Sequence, residues 1–189
     1  PQSVNFTPQL VTALLSVLSG VVVALAVIYL KEPWERKFKK TRIRALSVVS
    51  ILQGNQHIYR LVLKNDSNYE AKNVEVNVEE VYDDGNILRT DFIPAPLRWT
   101  HRSTERGIFG NQTAYLDICE VKREQSKFIR LAAPNIIDLP NIPFIKAGST
   151  KLRLNYYQEN GQTGEITISI IWTGNETFNA GDLPQINVV

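Results

Sequence analysis

The first apolar feature of the chain is a run without charged side chains at residues 9–30. As an α-helix this run would extend roughly 33 Å, at about 1.5 Å per residue, and the hydrocarbon core of a bilayer is about 30 Å thick. It has no continuous polar stripe, and no basic segment precedes it as in a signal peptide. The pattern predicts one N-terminal transmembrane helix at residues 9–30, after a short extracytoplasmic tail at residues 1–8.

Farther along the chain the apolar positions recur every second residue. Val74, Val76 and Val78 alternate with Asn and Glu, which is typical of a strand with one buried and one solvated face. Clear alternation predicts strands at residues 58–64, 71–79, 151–156 and 165–173. Weaker patterns predict strands at 43–52, 97–100, 114–121 and 128–132. The turn residues at 159–164 predict that the last two clear strands form a hairpin.

These strands define the expected fold class. Seven or eight short strands over about 130 residues, with no helical periodicity among them, predict a mainly β chain with an antiparallel sandwich at residues 41–174. Residues 175–189 lack a strand pattern and are expected to form a C-terminal tail. The stretch Leu-Val-Leu-Lys-Asn at residues 61–65 resembles bacterial immunoglobulin-like modules, a pattern too general to name a family. The resemblance implies an immunoglobulin-like β-sandwich after the transmembrane helix.

Charge is concentrated just after the apolar run. The chain has 21 Lys and Arg against 19 Asp and Glu, but residues 31–44 alone carry a net charge of +5, which leaves −3 for the rest. Positive flanks stay on the cytoplasmic side, so we expect a single-pass protein of the cell (inner or plasma) membrane, with its N-terminus outside and its C-terminal domain in the cytoplasm. A mildly acidic domain argues against nucleic-acid binding.

The single cysteine and the N-terminal residue give weaker indications. Cys119 is the single cysteine, so no internal disulfide can form, which favours a reducing compartment. The chain contains no methionine and begins with Pro1, and we expect that an initiator methionine was removed directly before it.

Small side chains recur every fourth residue along the predicted membrane helix. Thr12, Ser16, Gly20 and Ala24 would line one face, where a second helix can approach closely. The alternative is that small residues in register are a coincidence. A packing face predicts integral membrane protein subunits as partners, in a hetero-complex rather than a homo-oligomer.

The basic collar at residues 31–44 follows the helix. Pro33 disfavours straight continuation of the helix. Aromatic rings among cations suit a membrane interface and anionic lipid headgroups, although an ordinary topology signal has the same composition. The predicted interface residues are Tyr29, Lys31, Trp34, Arg36, Lys37, Phe38, Lys39 and Lys40.

Two segments of the predicted sandwich are candidate partner contacts. The first is polar and comprises Arg98, His101, Arg102 and Arg106; it could bind a phosphate or an acidic surface, or be an ordinary solvated loop. The second, at residues 134–147, is broken by prolines and carries large apolar side chains. Those side chains, Ile142, Phe144 and Ile145 among them, must pack on their own domain or dock on a partner.

Catalytic groups are sparse in the sequence. Only His57 and His101 are present as histidines, neither is near Cys119 in sequence, and no nucleotide or metal motif occurs. An acidic cluster at Glu79, Glu80, Asp83 and Asp84 lacks the spacing of calcium loops and is expected to be a solvated turn. The sequence therefore predicts a protein that is not an enzyme and has no cofactor or metal site.

These inferences favour a non-catalytic accessory or scaffold subunit of a larger membrane protein complex, with its sandwich on the cytoplasmic side. The alternative is a membrane-tethered binding or sensory module that recognises a soluble partner or ligand through the Arg98–Arg106 region. A pocket lined by that region, together with a helix that faces only lipid, would favour the alternative. An enzyme is the third reading, and it would require a pocket with strongly perturbed titratable groups.

Overall fold

The computed structural model of the protein describes residues 8–38, 40–84, 86–100, 103–122, 129–133, 144–174 and 183–189. The chain divides into two compact units, Pro1–Lys40 and Thr41–Val189.

The first unit contains one helix, α1 (Pro8–Phe38), of 31 residues. Its described side chains, at residues 12 and 16–31, are all exposed. Judged on the residues that the structure describes, no helix combines the length and the apolarity needed to cross a membrane. The predicted transmembrane helix is therefore not confirmed and stays a prediction.

The backbone remains helical through Pro33, against the expectation that proline would end the straight helix there. The fixed φ of proline is compatible with a helix, and its ring removes only one main-chain hydrogen bond. Five residues follow Pro33 before α1 ends, so the cost is confined to the last part of the helix.

The second unit is built from thirteen strands within the described residues, paired antiparallel wherever they join. In chain order they are β1 (Ile43–Gln53), β2 (Gln56–Asn65), β3 (Ala71–Asp83), β4 (Ile87–Leu88), β5 (Ala95–Pro96), β6 (Arg98–Trp99), β7 (Glu105–Ile108), β8 (Thr113–Lys122), β9 (Ile129–Leu131), β10 (Phe144–Ile145), β11 (Gly148–Tyr157), β12 (Gly164–Trp172) and β13 (Gln185–Val188).

The strands form two sheets. Sheet 1 has the order β1-β2-β8-β9-β10, with β6 also paired to β8. Sheet 2 has the order β13-β12-β11-β3-β4, with β5 and β7 also paired to β3. The predicted mainly β, sandwich-like fold with antiparallel sheets is confirmed.

All eight predicted strands are present, and the predicted hairpin joins β11 to β12. The prediction that residues after 174 lack a strand is wrong, because β13 pairs with β12 from Ile168↔Val188 to Ile171↔Gln185. Ile186 of that strand is 8% exposed and joins the core. The open edge of β12 supplies main-chain partners that a weak local pattern does not reveal.

The core lies between the two sheets. Alternate residues of β2, β3 and β11 point inward and are almost fully buried, among them Leu61, Val76 and Leu154. Trp99 on β6 of sheet 1 is fully buried, and its indole N–H donates to the carbonyl of Val74 on β3 of sheet 2 at 3.1 Å. The ring therefore packs in the core and its one donor is satisfied across the sandwich.

Candidate functional site

A polar cleft of about 440 Å³ lies on sheet 1 of the described sandwich. Strands β1, β2, β6, β8 and β9 contribute to it, together with the residues that follow β9. Its lining comprises Gln53, Gln56, Ile58, Arg60, Arg98, Trp99, Thr100, Asp117, Glu120, Arg130, Leu131, Ala132 and Ala133. We call this feature the arginine cleft.

Strand alternation brings the charged residues of the cleft together. On β2, Tyr59 and Leu61 point into the core, so Ile58 and Arg60 lie on the opposite face. Arg60 pairs in register with Asp117 on β8, which in turn pairs with Arg98 on β6. Three charged side chains therefore stand in one row across three neighbouring strands.

A β-bulge in β8 sets the next row. The register passes from Tyr59↔Cys119 to Arg60↔Asp117, so Ile118 is the extra residue. Ile118 and Cys119 are consecutive yet both fully buried, which regular alternation would not allow. Beyond the bulge Glu120 returns to the outer face, where it pairs in register with Arg130 on β9.

The charges of the cleft are only partly balanced. The Nε of Arg60 lies 2.8 Å from Oδ1 of Asp117, and both side chains are less than one fifth exposed. Glu120 lies 3.8 Å from Arg130, and Lys122 at 3.7 Å shares the same carboxylate.

Arg98 is the exception. It is half-buried in the cleft, and its guanidinium has no ion-pair partner within the described part of the chain. Among the described residues that line the cleft, three arginines face two carboxylates, and Arg98 is the arginine that forms no ion pair.

The rest of the lining supplies amide and hydroxyl groups above an apolar floor. The Thr100 hydroxyl donates to the carbonyl of Tyr115 at 2.9 Å, which leaves its oxygen lone pairs as acceptors. Gln53 and Gln56 lie at the β1–β2 end of the cleft and carry both donors and acceptors. Ile58 and Leu131 are buried and apolar. Such a surface suits an anionic group attached to a polar, chain-like body.

The structure separates the residues of the predicted polar contact. Arg98 lines the cleft, whereas the guanidinium of Arg106 on β7 lies over the Trp99 ring, 6.0 Å from its centroid. Arg106 pairs with Val74 in sheet 2 and is therefore committed to covering a core aromatic residue. His101 and Arg102 lie outside the described residues.

The predicted apolar contact is corrected at one position. Ile145 is 1% exposed and belongs to the core, so it packs on its own domain because β10 pairs it with buried Ile129. Phe144 pairs in register with Arg130, and its side chain is outside the description. Ile142 lies outside the described residues.

The residues of the predicted helix-packing face lie on α1. Thr12, Ser16, Gly20 and Ala24 are exposed, and a Cβ added at Gly20 would meet no other atom within 4 Å. Tyr29, Lys31 and Lys40 are exposed as well. Trp34, Arg36, Lys37 and Phe38 are part of the helix, but their side chains are outside the description, as is Lys39.

Cys119 and the acidic cluster at residues 79–84 lie in surroundings that do not favour catalysis or metal binding. Burial, with a smaller contribution from Glu120, raises the pKa of the Cys119 thiol, which disfavours a thiolate nucleophile. Within the described residues, no group of three or more His, Cys, Asp or Glu side chains could hold a metal ion. In the acidic cluster, Glu80 pairs with Arg153, Asp83 lies 3.7 Å from Arg89, and Asp84 accepts from the Ser149 amide.

Arg60, Asp117, Glu120 and Arg130 were not singled out from the sequence. Each is a polar residue on the outer side of an alternating strand, where charge is ordinary. Only the register of β2, β8 and β9, with the bulge at Ile118, shows that they share one cleft.

Comparisons with protein-family models, with curated proteins and with solved structures find no match to this chain.

Proposed function

We propose that the chain is a non-catalytic, membrane-tethered binding module whose arginine cleft recognises a carboxylate on a soluble partner or ligand. The observation that carries the proposal is the half-buried Arg98, whose guanidinium forms no ion pair with the described residues of the cleft. A guanidinium in a cleft forms charge-assisted, often bidentate, hydrogen bonds with a carboxylate.

A carboxylate suits the cleft better than a phosphate. The fixed carboxylates of Asp117 and Glu120 would repel a group that carries nearly two negative charges at neutral pH. A single negative charge balances the single positive charge that remains. Gln53, Gln56 and Thr100 would bind the polar groups beside the carboxylate.

The chemistry of Cys119 and of the charged residues in the cleft supports a non-catalytic role. The Cys119 thiol is fully buried and is held protonated by that burial. The arginines of the cleft stay protonated and cannot attack as nucleophiles, and its carboxylates are engaged in ion pairs with Arg60 and Arg130.

The tether in this proposal is α1. The uncharged run at residues 9–30 has the length of a bilayer core, and the basic collar at residues 31–44 would keep the sandwich in the cytoplasm. Every described side chain from Ser16 to Leu30 is exposed, so lipid could cover this surface. Resistance of the protein to alkaline extraction from membranes supports the tether, and release into the supernatant contradicts it.

The finer fold class in this proposal is immunoglobulin-like. In one sheet the strand order β1-β2-β8 corresponds to strands A-B-E of an immunoglobulin sandwich. In the other sheet the order β12-β11-β3 corresponds to strands G-F-C. Such sandwiches carry many binding functions, so the fold agrees with a binding module without specifying its ligand.

The binding proposal is tested by NMR of the full chain in detergent, with ¹⁵N-labelled arginine side chains. The probe is a blocked aspartate, acetylated at its N-terminus and amidated at its C-terminus, and the comparison is the blocked asparagine. We expect the Nε–H signal of Arg98, assigned from an Arg98→Gln variant, to shift with aspartate and not with asparagine. The signal of Arg44, which already pairs with Asp66 at 2.8 Å, is the internal control. An unmoved Arg98 signal contradicts the proposal.

A second candidate is the accessory subunit of a membrane complex, which the exposed small-residue face of α1 favours. The open space around Gly20 would admit another helix at close range. Native sizing of the detergent-solubilised protein, with co-migrating chains identified by mass spectrometry, tests this candidate. A large particle of fixed stoichiometry that Gly20→Leu weakens supports it, and a lone monomer contradicts it.

A further inference from the structure

Strand β1 is an open edge of sheet 1. It is the end strand in the order of the sheet, and one of its sides pairs with β2 along its length. Strand β13 of sheet 2 lies near β1, but neither strand pairing nor another backbone hydrogen bond joins the two. Within the described part of the chain, the outer main-chain groups of β1 therefore have no strand partner.

This edge lacks the features that usually prevent pairing with another chain. Charged side chains commonly protect an open strand edge, and residues 45–56 carry none. Large apolar side chains of β1 are exposed instead: Leu46 is 42% exposed, Ile51 39% and Leu52 62%. Lipid acyl chains offer no hydrogen bonds to main-chain groups, so a protein strand suits the edge better than a membrane does.

The polar and apolar positions of β1 follow the same pattern in both directions from Ser50. Residues 47–53 have the sequence Ser-Val-Val-Ser-Ile-Leu-Gln, in which each position matches in polarity the one equally far on the other side of Ser50. The bulge in the pairing of β1 with β2 lies before this stretch, between Ala45 and Ser47. Residues 47–53 therefore alternate regularly between the two faces of sheet 1.

We infer that two copies of the chain pair antiparallel through β1, with Ser50 opposite Ser50 of the second copy. A two-fold axis at this position places every residue opposite one that lies on the same face of the sheet. Apolar side chains then meet apolar ones and polar side chains meet polar ones, which is the arrangement that stabilises strand pairs. The pairs are Val48 with Leu52, Val49 with Ile51, and Ser47 with Gln53.

The pairing favours a second copy of this chain over an unrelated strand, because one stretch satisfies itself at every position. It uses the sandwich alone and requires neither α1 nor a ligand in the arginine cleft. It is therefore separate from the membrane subunits predicted as partners of the helix. Gln53 lines the arginine cleft, so Ser47 of the second copy would border each cleft at its β1 end.

The test is disulfide formation in the full chain, solubilised in mild detergent and treated with a mild oxidant. In Ser50→Cys the two Cα atoms would lie about 4.5–5.5 Å apart, within the range of about 4.4–6.8 Å that a disulfide needs. The matched control is Ser47→Cys, exposed on the same strand, whose two copies would lie roughly 20 Å apart. Cys119 is fully buried, and unsubstituted protein measures its residual reaction.

We expect Ser50→Cys to form several-fold more disulfide-linked dimer than Ser47→Cys. Ser47→Cys mixed with Gln53→Cys should cross-link again, although neither does so alone. Addition of Gly20→Leu to Ser50→Cys should leave the yield unchanged, because the pairing does not use α1. Equal yields from Ser50→Cys and Ser47→Cys, or a yield that Gly20→Leu abolishes, would overturn the inference.

A charge on the edge should prevent the pairing. Leu52→Lys places an ammonium group opposite apolar Val48 of the second copy, so Ser50→Cys should lose most of its cross-linking in this background. The control is Ile87→Lys, at a side chain that is 67% exposed on β4 of sheet 2, which should leave the yield unchanged. Urea unfolding checks that both variants are folded. Full cross-linking in folded Leu52→Lys would overturn the inference.

Discussion

Arg60 on β2 and Asp117 on β8 form an ion pair with 2.8 Å between Nε and Oδ1, and this pair leaves the neighbouring Arg98 without a carboxylate of its own. The two paired side chains are 16% and 19% exposed, so water screens them only in part. The proposed selectivity of the arginine cleft for a carboxylate depends on this division of charge.

Replacing the acidic partner should loosen that selectivity. In Asp117→Asn the cleft gains positive charge, so we expect inorganic phosphate to bind more tightly than to the original protein. The folded state should lose about 1.5–3 kcal/mol, because Arg60 loses a charge-assisted hydrogen bond while partly buried. Urea unfolding and phosphate titration measure the two effects. The control is Asp66→Asn, which breaks a more exposed pair with Arg44 and should change neither result appreciably.

Tyr59 is a buried aromatic residue whose hydroxyl has no hydrogen-bond partner among the described residues. Tyr59→Phe removes a polar group that burial leaves unsatisfied, so we expect the free energy of unfolding to rise by about 1 kcal/mol at neutral pH. Thermal unfolding provides the measurement. In Tyr156→Phe, by contrast, a hydroxyl that donates to the Ile43 carbonyl at 3.2 Å is lost, and stability should fall. If both variants lose stability alike, the Tyr59 hydroxyl has a partner.

Burial also makes stability depend on alkaline pH. Burial raises the pKa of Tyr59 above its usual 10.0 and that of Cys119 above its usual 9.0. Both groups therefore stay protonated to a higher pH in the folded chain than in the unfolded chain. Their contribution is complete below about pH 9 and declines as the pH rises further. Urea unfolding at pH 8, 9 and 10.5 should show this decline, and it should be shallower in Tyr59→Phe. A stability that is flat over this range contradicts the assignment.

The loops at residues 65–72 and 108–113 are joined through one buried amide, that of Asn65. Asn65→Ala leaves the Ile108 carbonyl and the Ser67 amide without their partner, while the Tyr69 carbonyl keeps only its bond from the Ser67 hydroxyl at 3.0 Å. We expect a loss of roughly 2–4 kcal/mol, from two groups at about 1–3 kcal/mol each when unsatisfied. Ser67→Ala removes only the hydroxyl and should cost much less. Hydrogen exchange of residues 66–70 and 109–112 measures whether both loops open together, and opening of one loop alone would contradict their coupling.

Gly110 is required by close backbone contact. A Cβ at this position would lie 2.5 Å from the carbonyl carbon of Asn68 and 2.8 Å from the Ser67 carbonyl oxygen. Gly110→Ala should therefore cost about 1–3 kcal/mol through forced separation of the loops. The matched control is Gly54→Ala, where φ is +60° but no atom lies within 4 Å, so only backbone strain of about 1 kcal/mol is expected. Equal losses in the two variants would contradict the contact argument.

The strands were predictable wherever one face is buried and the other solvated. Val74, Val76 and Val78 alternate so regularly that β3 follows from the sequence, whereas β13 has only Ile186 and Val188 and exists because β12 offers an open edge. Arg98 was predictable as a charged residue near a polar loop. Its role in the arginine cleft was not, because the bulge at Ile118 and the register of β2, β8 and β9 are products of tertiary pairing.

The most direct test of the account is a double-mutant cycle between Arg98 and the ligand carboxylate. Binding of blocked aspartate and blocked asparagine is measured by NMR titration for the original protein and for Arg98→Gln. A direct charge-assisted contact predicts that the variant weakens aspartate binding about tenfold or more, an energy of at least about 1.4 kcal/mol, and leaves asparagine binding unchanged. Equal weakening of both ligands, or of neither, would contradict the claim that Arg98 recognises a carboxylate.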